Sequence, residues 1–420
     1  MKIGILTGTR PDIIKMAPVY WECKKRGHNV VLVHVAQHYP FHLYEGVYRD
    51  LELPFPPDYE VGMSAVKKLG VHASKLAHHA DQQFGWKLTK TLESVAENVV
   101  SRRPNPAALV ANSMLGLTKL FKGPLKDLDI MLVHGDTLTC MSGALSASLN
   151  LVPVGHIEAG LRTFSKEPFP EQVDTRTSDA CSDLYFAATK TNEQNLLKEG
   201  FSGERIFTVG NSVVDAAKWA SKKGEKSRQF FEKHGVDFSK KIVYASCHRR
   251  ENLMHKERFL AITTALFKLA DEGFQVLWSI RPGTQTAIKE YGLQEEIAKH
   301  PNILAVPDIP NYTDTMFLLS KARMIITDSG SMQEEAAALH VPCVTTRFVT
   351  DRPESVEAGV NVLAPPKSSN DVLRAAYAVD EDNEGMRKKK NPYGDGNSSK
   401  LIIDAIEKFE GKLIQWEHQK

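Results

Sequence analysis

The sequence is poor in cysteine, in net charge and in long apolar runs, and each shortage closes off a class of protein. Its five cysteines (Cys23, Cys140, Cys181, Cys247 and Cys343) are odd in number and never spaced C-x-x-C. That argues against a disulfide framework and against a thiolate zinc site, so no metal is expected and a reducing compartment is the simplest setting. Lys and Arg total 53 against 51 Asp and Glu, a net charge of +2. A nucleic-acid binder would carry an evident basic excess, so no nucleic-acid partner is expected. No stretch approaches the roughly 18–20 apolar residues of a membrane helix. The first apolar run breaks at Thr7 and Arg10, unlike a signal peptide, so a cytoplasmic protein without a membrane partner is expected. Also missing is G-x-G-x-x-G. The first strand-to-helix turn, "LTGTRPD", has only Gly8, and no NAD or other cofactor is expected.

What the chain does have is length and a repeating alternation. Its 420 residues exceed what one core ordinarily organises, which predicts two domains. Short runs rich in Val, Ile and Leu recur: "KIGILT", "NVVLVHV", "DIMLVHG", "LVPVGHI", "DLYFAAT" and "RIFTVG", then "KIVYASC", "FQVLWSI", "NILAVPD", "MIITDS" and "VPCVTT". Such runs alternating with helical patterns specify parallel sheets covered on both faces. The expected fold class is α/β, two Rossmann-like doubly wound domains facing across a cleft. A break near 211–241 separates them, giving domains at 1–210 and 211–397. Residues 80–125 fit the alternation less well, reading as a helix followed by a stretch of uncertain form. Beyond 397 an amphipathic helix is predicted, with Leu401, Ile402, Ala405 and Ile406 on one face.

Ligands of open parallel sheets bind beyond the carboxyl ends of the strands, so polar residues there are functional candidates. Past the first strand stand Arg10 and Lys15, with Pro11 suited to a helix start. A helix N-terminus flanked by two cations favours an anion; a solvated turn with two surface cations is the plain alternative. Asp136, Glu158 and Glu171 follow later strand ends of the same domain. Singly each reads as a helix cap or surface acid, Asp136 especially. Three together point to chemistry, because gathering acids is costly unless their shifted proton affinities are used. The glycines of "GHIEAGLRT" imply a backbone shaped to present Glu158.

The second domain offers His248, Arg249 and Arg250 past one strand, and Ser329-Gly330-Ser331 opening a helix past another. Ser331 and Glu334 have capping-box spacing, a structural reading; backbone N–H groups forming a phosphate nest is the functional one. Glu335 would repel a phosphate and suits hydroxyls such as a ribose diol. Together these describe a nucleotide site.

At these residues the chain resembles the UDP-N-acetylglucosamine 2-epimerase family. The blocks are "GTRPDIIKMAP", "AQH" (36–38), "VHGDT", "GHIEAGLRT", "HRREN", "TDSGSMQEEA", "DRPES" (351–355) and "NPYGDG" (391–396), in the family's order and spanning nearly the whole chain. The resemblance implies the glycosyltransferase-B arrangement, a C-terminal helix (398–420) returning to the first domain, a homodimer, and interconversion of UDP-N-acetylglucosamine and UDP-N-acetylmannosamine. It makes Arg10, Lys15, Asp136, Glu158, Glu171 and His248 active-site residues, and Ser329, Gly330 and Glu335 part of the UDP site, with Ser331 beside them. The chain departs from the pattern at "EQVDTR": Glu171 is kept, Gln172 replaces a second Glu, Asp174 replaces an Asn, and the arginine moves to Arg176.

The C2 hydrogen of an acetamido sugar is not acidic, and without a dinucleotide fingerprint the oxidative route is disfavoured. Elimination of UDP to a glycal and its re-addition needs only carboxylates and a diphosphate clamp. Asp136, Glu158 and Glu171 would divide the proton work; Arg10, His248 and the helix after Ser329 would hold the diphosphate; Lys15 would assist positioning. A hydrolysing 2-epimerase, a UDP-sugar glycosyltransferase and a UDP-sugar-binding regulator are the rivals.

Overall fold

A computed structural model of the protein describes residues 1–36, 41–62, 106–164, 170–307, 309 and 311–411. Gln37 and His38 of the "AQH" block and residues 80–105 lie outside them. The chain divides into two compact units, Met1–Val209 with Ser399–Lys420, and Gly210–Ser398.

The first unit is built on a seven-stranded sheet. Its strands are β1 (Lys2–Thr7), β2 (Asn29–Val35), β3 (Tyr59–Val61), β4 (Ile130–His134), β5 (Val154–Ile157), β6 (Leu184–Ala187) and β7 (Ile206–Thr208). The order is β3-β2-β1-β4-β5-β6-β7, and every pair is parallel. β4, "IMLVH", is buried along its whole length, as a strand covered on both faces must be. Succession runs outward from β1 in one direction and from β4 in the other. The crevice between those two strands is therefore the topological switch point, where open sheets bind ligands.

The second unit repeats the plan with six strands: β8 (Ile242–Ser246), β9 (Gln275–Ile280), β10 (Ile303–Pro307), β11 (Met324–Thr327), β12 (Cys343–Thr345) and β13 (Asn361–Leu363). They are all parallel, in the order β10-β9-β8-β11-β12-β13. Its switch point lies between β8 and β11, where Ser246 pairs with Thr327 in register and their hydroxyls meet at 2.7 Å. The core around it centres on Trp278 and Phe259, both fully buried.

Four helices carry the residues of interest: α1 (Arg10–Lys25), α2 (Leu138–Leu149), α3 (Glu171–Ala180) and α4 (Gly330–Ala338). A fifth, α5 (Ser398–Lys408), buries Ile402, Ile403, Ala405 and Ile406. Arg26 at the end of α1 bonds Asp404 at 2.7 Å and Glu407 at 2.8 Å. The apolar face dominates that attachment, at about 1.5–3 kcal/mol for each large side chain against at most about 1 for a part-exposed ion pair. Among the described residues no helix is long and apolar enough to cross a membrane.

Candidate active site

In the first unit the β1–α1 turn is tight for a packing reason. A Cβ at Gly8 would overlap the Thr139 hydroxyl of α2, so the single glycine lets the turn lie against that helix. Thr9 caps α1 in a reciprocal box: its Oγ1 accepts from Asp12 N, and its own N donates to Asp12 Oδ2 at 2.9 Å. Asp12 is thereby fixed with its other oxygen, Oδ1, accepting from His134 Nδ1 at 3.0 Å. One turn further on, Lys15 is buried and its Nζ donates to Glu158 Oε1 at 2.5 Å. His134 Nε2 stands 3.4 Å from the same Glu158 oxygen. Burial opposes charge on His134, yet Glu158 and Asp12 outweigh it and push the imidazole up to about 9. Lys15, His134, Asp12 and Glu158 thus form one connected group, all nearly out of water.

Glu158 is presented by an unusual backbone. It adopts φ 65°, the left-handed region, at a cost of about 1–2 kcal/mol for a residue with a side chain. The neighbouring turn locks that conformation in place: Gly160 has φ 81°, and a Cβ there would strike the Asn192 carbonyl. Asp179 of α3, fully buried, ties this turn down. Its Oδ2 accepts from Gly160 N at 3.2 Å and lies 2.8 Å from Arg162 Nη1, while Oδ1 accepts from His156 Nδ1 at 2.7 Å. His156 Nε2 in turn donates to the Gly135 carbonyl at 2.8 Å. Burial opposes charge on His156, yet Cys140 and Asp179 outweigh it and hold the imidazole well above its ordinary proton affinity. One aspartate so braces the turns bearing both Glu158 and Asp136.

Asp136 follows Gly135, and the helix cap is Thr137, whose Oγ1 accepts from Cys140 N at 3.2 Å. The cap role open to Asp136 in the sequence is therefore taken by its neighbour. Glu158 Oε2 lies 4.0 Å from where a Cβ on Gly135 would stand, which puts the two acids on adjoining turns. Glu171 opens α3, and Asp174 lies one turn along it, almost fully buried. Burial, then the charges of Asp136 and Glu171, push the Asp174 carboxyl up to about 7. Glu171 Oε2 and Asp174 Oδ1 are buried without a hydrogen-bond partner. Arg10, at the mouth of the β1–α1 turn, is half-buried, with no carboxylate partner among the described residues.

In the second unit Asp328, directly after β11, organises the loop after β8. Its carboxylate is fully buried and accepts from His248 N at 3.0 Å, Arg249 N at 3.0 Å and Asn252 Nδ2 at 3.0 Å. His248 Nδ1 is 3.3 Å from Asp328 Oδ1, which directs Nε2 to the opposite side. Arg249 Nε donates to the Asp328 carbonyl at 3.1 Å, and Arg250 is exposed beside the Met254 sulfur, so of the three cationic positions Asp328 holds His248 and Arg249. Ser329 is the cap residue of α4 without a capping bond from its side chain, and its Oγ sits 3.3 Å from Ser331 Oγ. The Ser331–Glu334 capping box predicted from spacing does not form, because Ser331 is already inside the helix. Glu334 instead accepts from Arg352 Nε of the "DRPES" block at 2.5 Å. Glu335 is buried in the second turn of α4. A Cβ on Gly330 would come within 3.3 Å of the Asp351 carboxylate, which Arg347 neutralises at 2.8 Å.

Asp12, His134, Asp179 and Asp328 were not singled out from sequence. Asp12 and His134 lie inside quoted motifs, but their pairing across α1 and β4 is tertiary. The signal available for Asp328 was an acid immediately beyond a strand at the switch point.

Comparison with known proteins agrees with this layout. The profile of the UDP-N-acetylglucosamine 2-epimerase family matches residues 76–407. A UDP-N-acetylglucosamine 2-epimerase of Methanococcus maripaludis is 32% identical over 409 residues, covering 96% of this chain and 98% of its own. The Methanocaldococcus jannaschii UDP-GlcNAc 2-epimerase, solved in complex with UDP-GlcNAc and UDP, superposes with a TM-score of 0.73 at 29% identity, over 97% of this chain and all of that one. The Neisseria meningitidis enzyme bound to UDP-GlcNAc gives 0.76 at 27% identity, with the same coverage. With the family profile matching most of the chain and a relative 32% identical over nearly all of it, the chain belongs to the UDP-N-acetylglucosamine 2-epimerase family.

Proposed function

We propose that this protein inverts C2 of UDP-N-acetylglucosamine, giving UDP-N-acetylmannosamine, by eliminating UDP and adding it back. The observations that support the reading are that Glu158 and Asp136 stand on adjoining turns, that Asp136 and Glu171 both act on Asp174, and that a Glu171 oxygen is buried and unpartnered. In the forward half a carboxylate takes the C2 proton, the C1–O bond breaks, UDP leaves with the electron pair, and a C1–C2 double bond remains. In the return half a UDP oxygen attacks C1 and a second carboxyl delivers a proton to the opposite face of C2. One acid ends protonated and the other deprotonated, so each turnover needs proton exchange with solvent to reset.

Lys15 holds Glu158, and His134 adds a second cation on the same oxygen. Arg10, His248 and the N–H groups of α4 from Ser329 through Ser331 suit the diphosphate, stabilising charge as it leaves. Glu335 suits the ribose hydroxyls. Amide variants Asp136→Asn, Glu158→Gln and Glu171→Gln should each lower turnover by roughly 100-fold or more. We also take the protein as a homodimer, which sedimentation would test.

Product analysis separates this reading from its rivals. Incubation with UDP-N-acetylglucosamine and no acceptor should yield UDP-N-acetylmannosamine. Free N-acetylmannosamine with stoichiometric UDP would instead mark a hydrolysing enzyme, and an unchanged sugar would remove the epimerase assignment.

A further inference from the structure

The "EQVDTR" departure places an ionisable group where the family pattern has an amide, and the structure puts that group among the acids. Glu171 and Asp174 are three residues apart in the first turn of α3, so their side chains share one face. Asp174 is 1% exposed and its Oδ1 has no hydrogen-bond partner. The charged groups acting on it are both negative: Glu171 from its own helix and Asp136 from the turn after β4. The helix packed against α3 is α2, whose only titratable side chain is Cys140, placed beside His156. Further along α3, Asp179 pairs with His156 and Arg162, and among the described residues no cation is paired with Asp174. The positive end of α3 favours charge on its first-turn acids, but it is shared between two of them.

We propose that Asp174 is a positioning residue that stays a neutral carboxylic acid in the working site, and by staying neutral spares Asp136 and Glu171 a further negative charge beside them. A protonated Asp has the shape and polarity of Asn, so the site would work as though an amide stood there. Once Asp174 ionises, a further negative charge joins the cluster and an anionic substrate is repelled. The proton affinity of Asp174, raised to about 7, sets where this happens. The inference rests on the epimerase reading for its kinetic consequence alone.

Two measurements test it. In the pH profile of kcat/KM, wild type should lose activity through an alkaline limb near pH 7 that is absent from Asp174→Asn. The variant-to-wild-type ratio should rise about tenfold between pH 6 and pH 8. Independently of activity, infrared titration should show a protonated carboxylic acid persisting in wild type above pH 6 and missing from Asp174→Asn. Superimposable pH profiles, or no carboxylic-acid signal above pH 6 in wild type, would overturn the proposal. Lack of turnover with any UDP-sugar would sink the epimerase reading and leave the infrared titration to decide this one.

Discussion

Replacing Lys15 by methionine keeps the length and apolar stem of the side chain and removes its charge. The Nζ–Oε1 distance to Glu158 is 2.5 Å, and both side chains are only 6% exposed. At an effective dielectric of about 20, such a pair attracts by roughly 6–7 kcal/mol before desolvation is counted. Breaking a buried pair by deleting one partner typically costs about 3–5 kcal/mol, because the remaining charge is left uncompensated. Here His134, 3.4 Å from the same oxygen, retains part of the compensation, so about 2–4 kcal/mol is expected. Glu158 also becomes easier to protonate, so turnover should fall at neutral pH. Adding Glu158→Gln removes the stranded charge, and the double variant should regain about 2 kcal/mol relative to the summed single losses. Urea unfolding followed by circular dichroism reads the coupling. UDP affinity, measured by calorimetry, should change little, since the proposed role of Lys15 is to hold Glu158 and not the diphosphate. A Lys15→Met loss below about 0.5 kcal/mol, or strictly additive single and double variants, would refute the reasoning.

Other perturbations probe the remaining supports. Asp179→Asn leaves His156 and Arg162 charged and buried without their shared anion; a stability loss of about 3–5 kcal/mol is expected in urea, with kcat falling more than KM changes. His134 gains its proton affinity on folding, so its contribution is complete below its ordinary pKa of about 6.5 and is lost as pH rises through about 9. Wild-type stability should therefore decline by up to about 3 kcal/mol over that window, and His134→Asn should flatten the slope in urea midpoints taken at successive pH values. Asp328→Ala removes the acceptor for three N–H groups of the His248 loop and should weaken UDP binding roughly 10- to 100-fold by calorimetry.

The long strands were legible because each is a run of Val, Ile and Leu between turn residues: "KIGILT" and "NVVLVHV" coincide with β1 and β2 from end to end. β3 and β13, "YEV" and "NVL", were not read, whereas the equally short edge strand β7 was legible in the longer run "RIFTVG". Glu158 was legible as a presented acid from its flanking glycine, and its positive φ is the physical form of that signal. Capping at Asp136 and at Ser331 was misplaced because spacing fixes which residues can cap, while the entry angle of the chain decides which one does. The supporting layer was hidden for a different reason. His134 and Asp12 are 122 residues apart, and Asp179 reaches His156 across 23; only the sheet order brings such pairs together.

The central claim, that the first unit's acids move a proton at C2, is met most directly by running the reaction in heavy water without an acceptor. Recovered UDP-N-acetylglucosamine and newly formed UDP-N-acetylmannosamine should both carry deuterium at C2, with exchange suppressed together with turnover in Asp136→Asn, Glu158→Gln and Glu171→Gln. Epimerised product that retains its original hydrogen at C2, or full exchange in all three variants, would contradict the account.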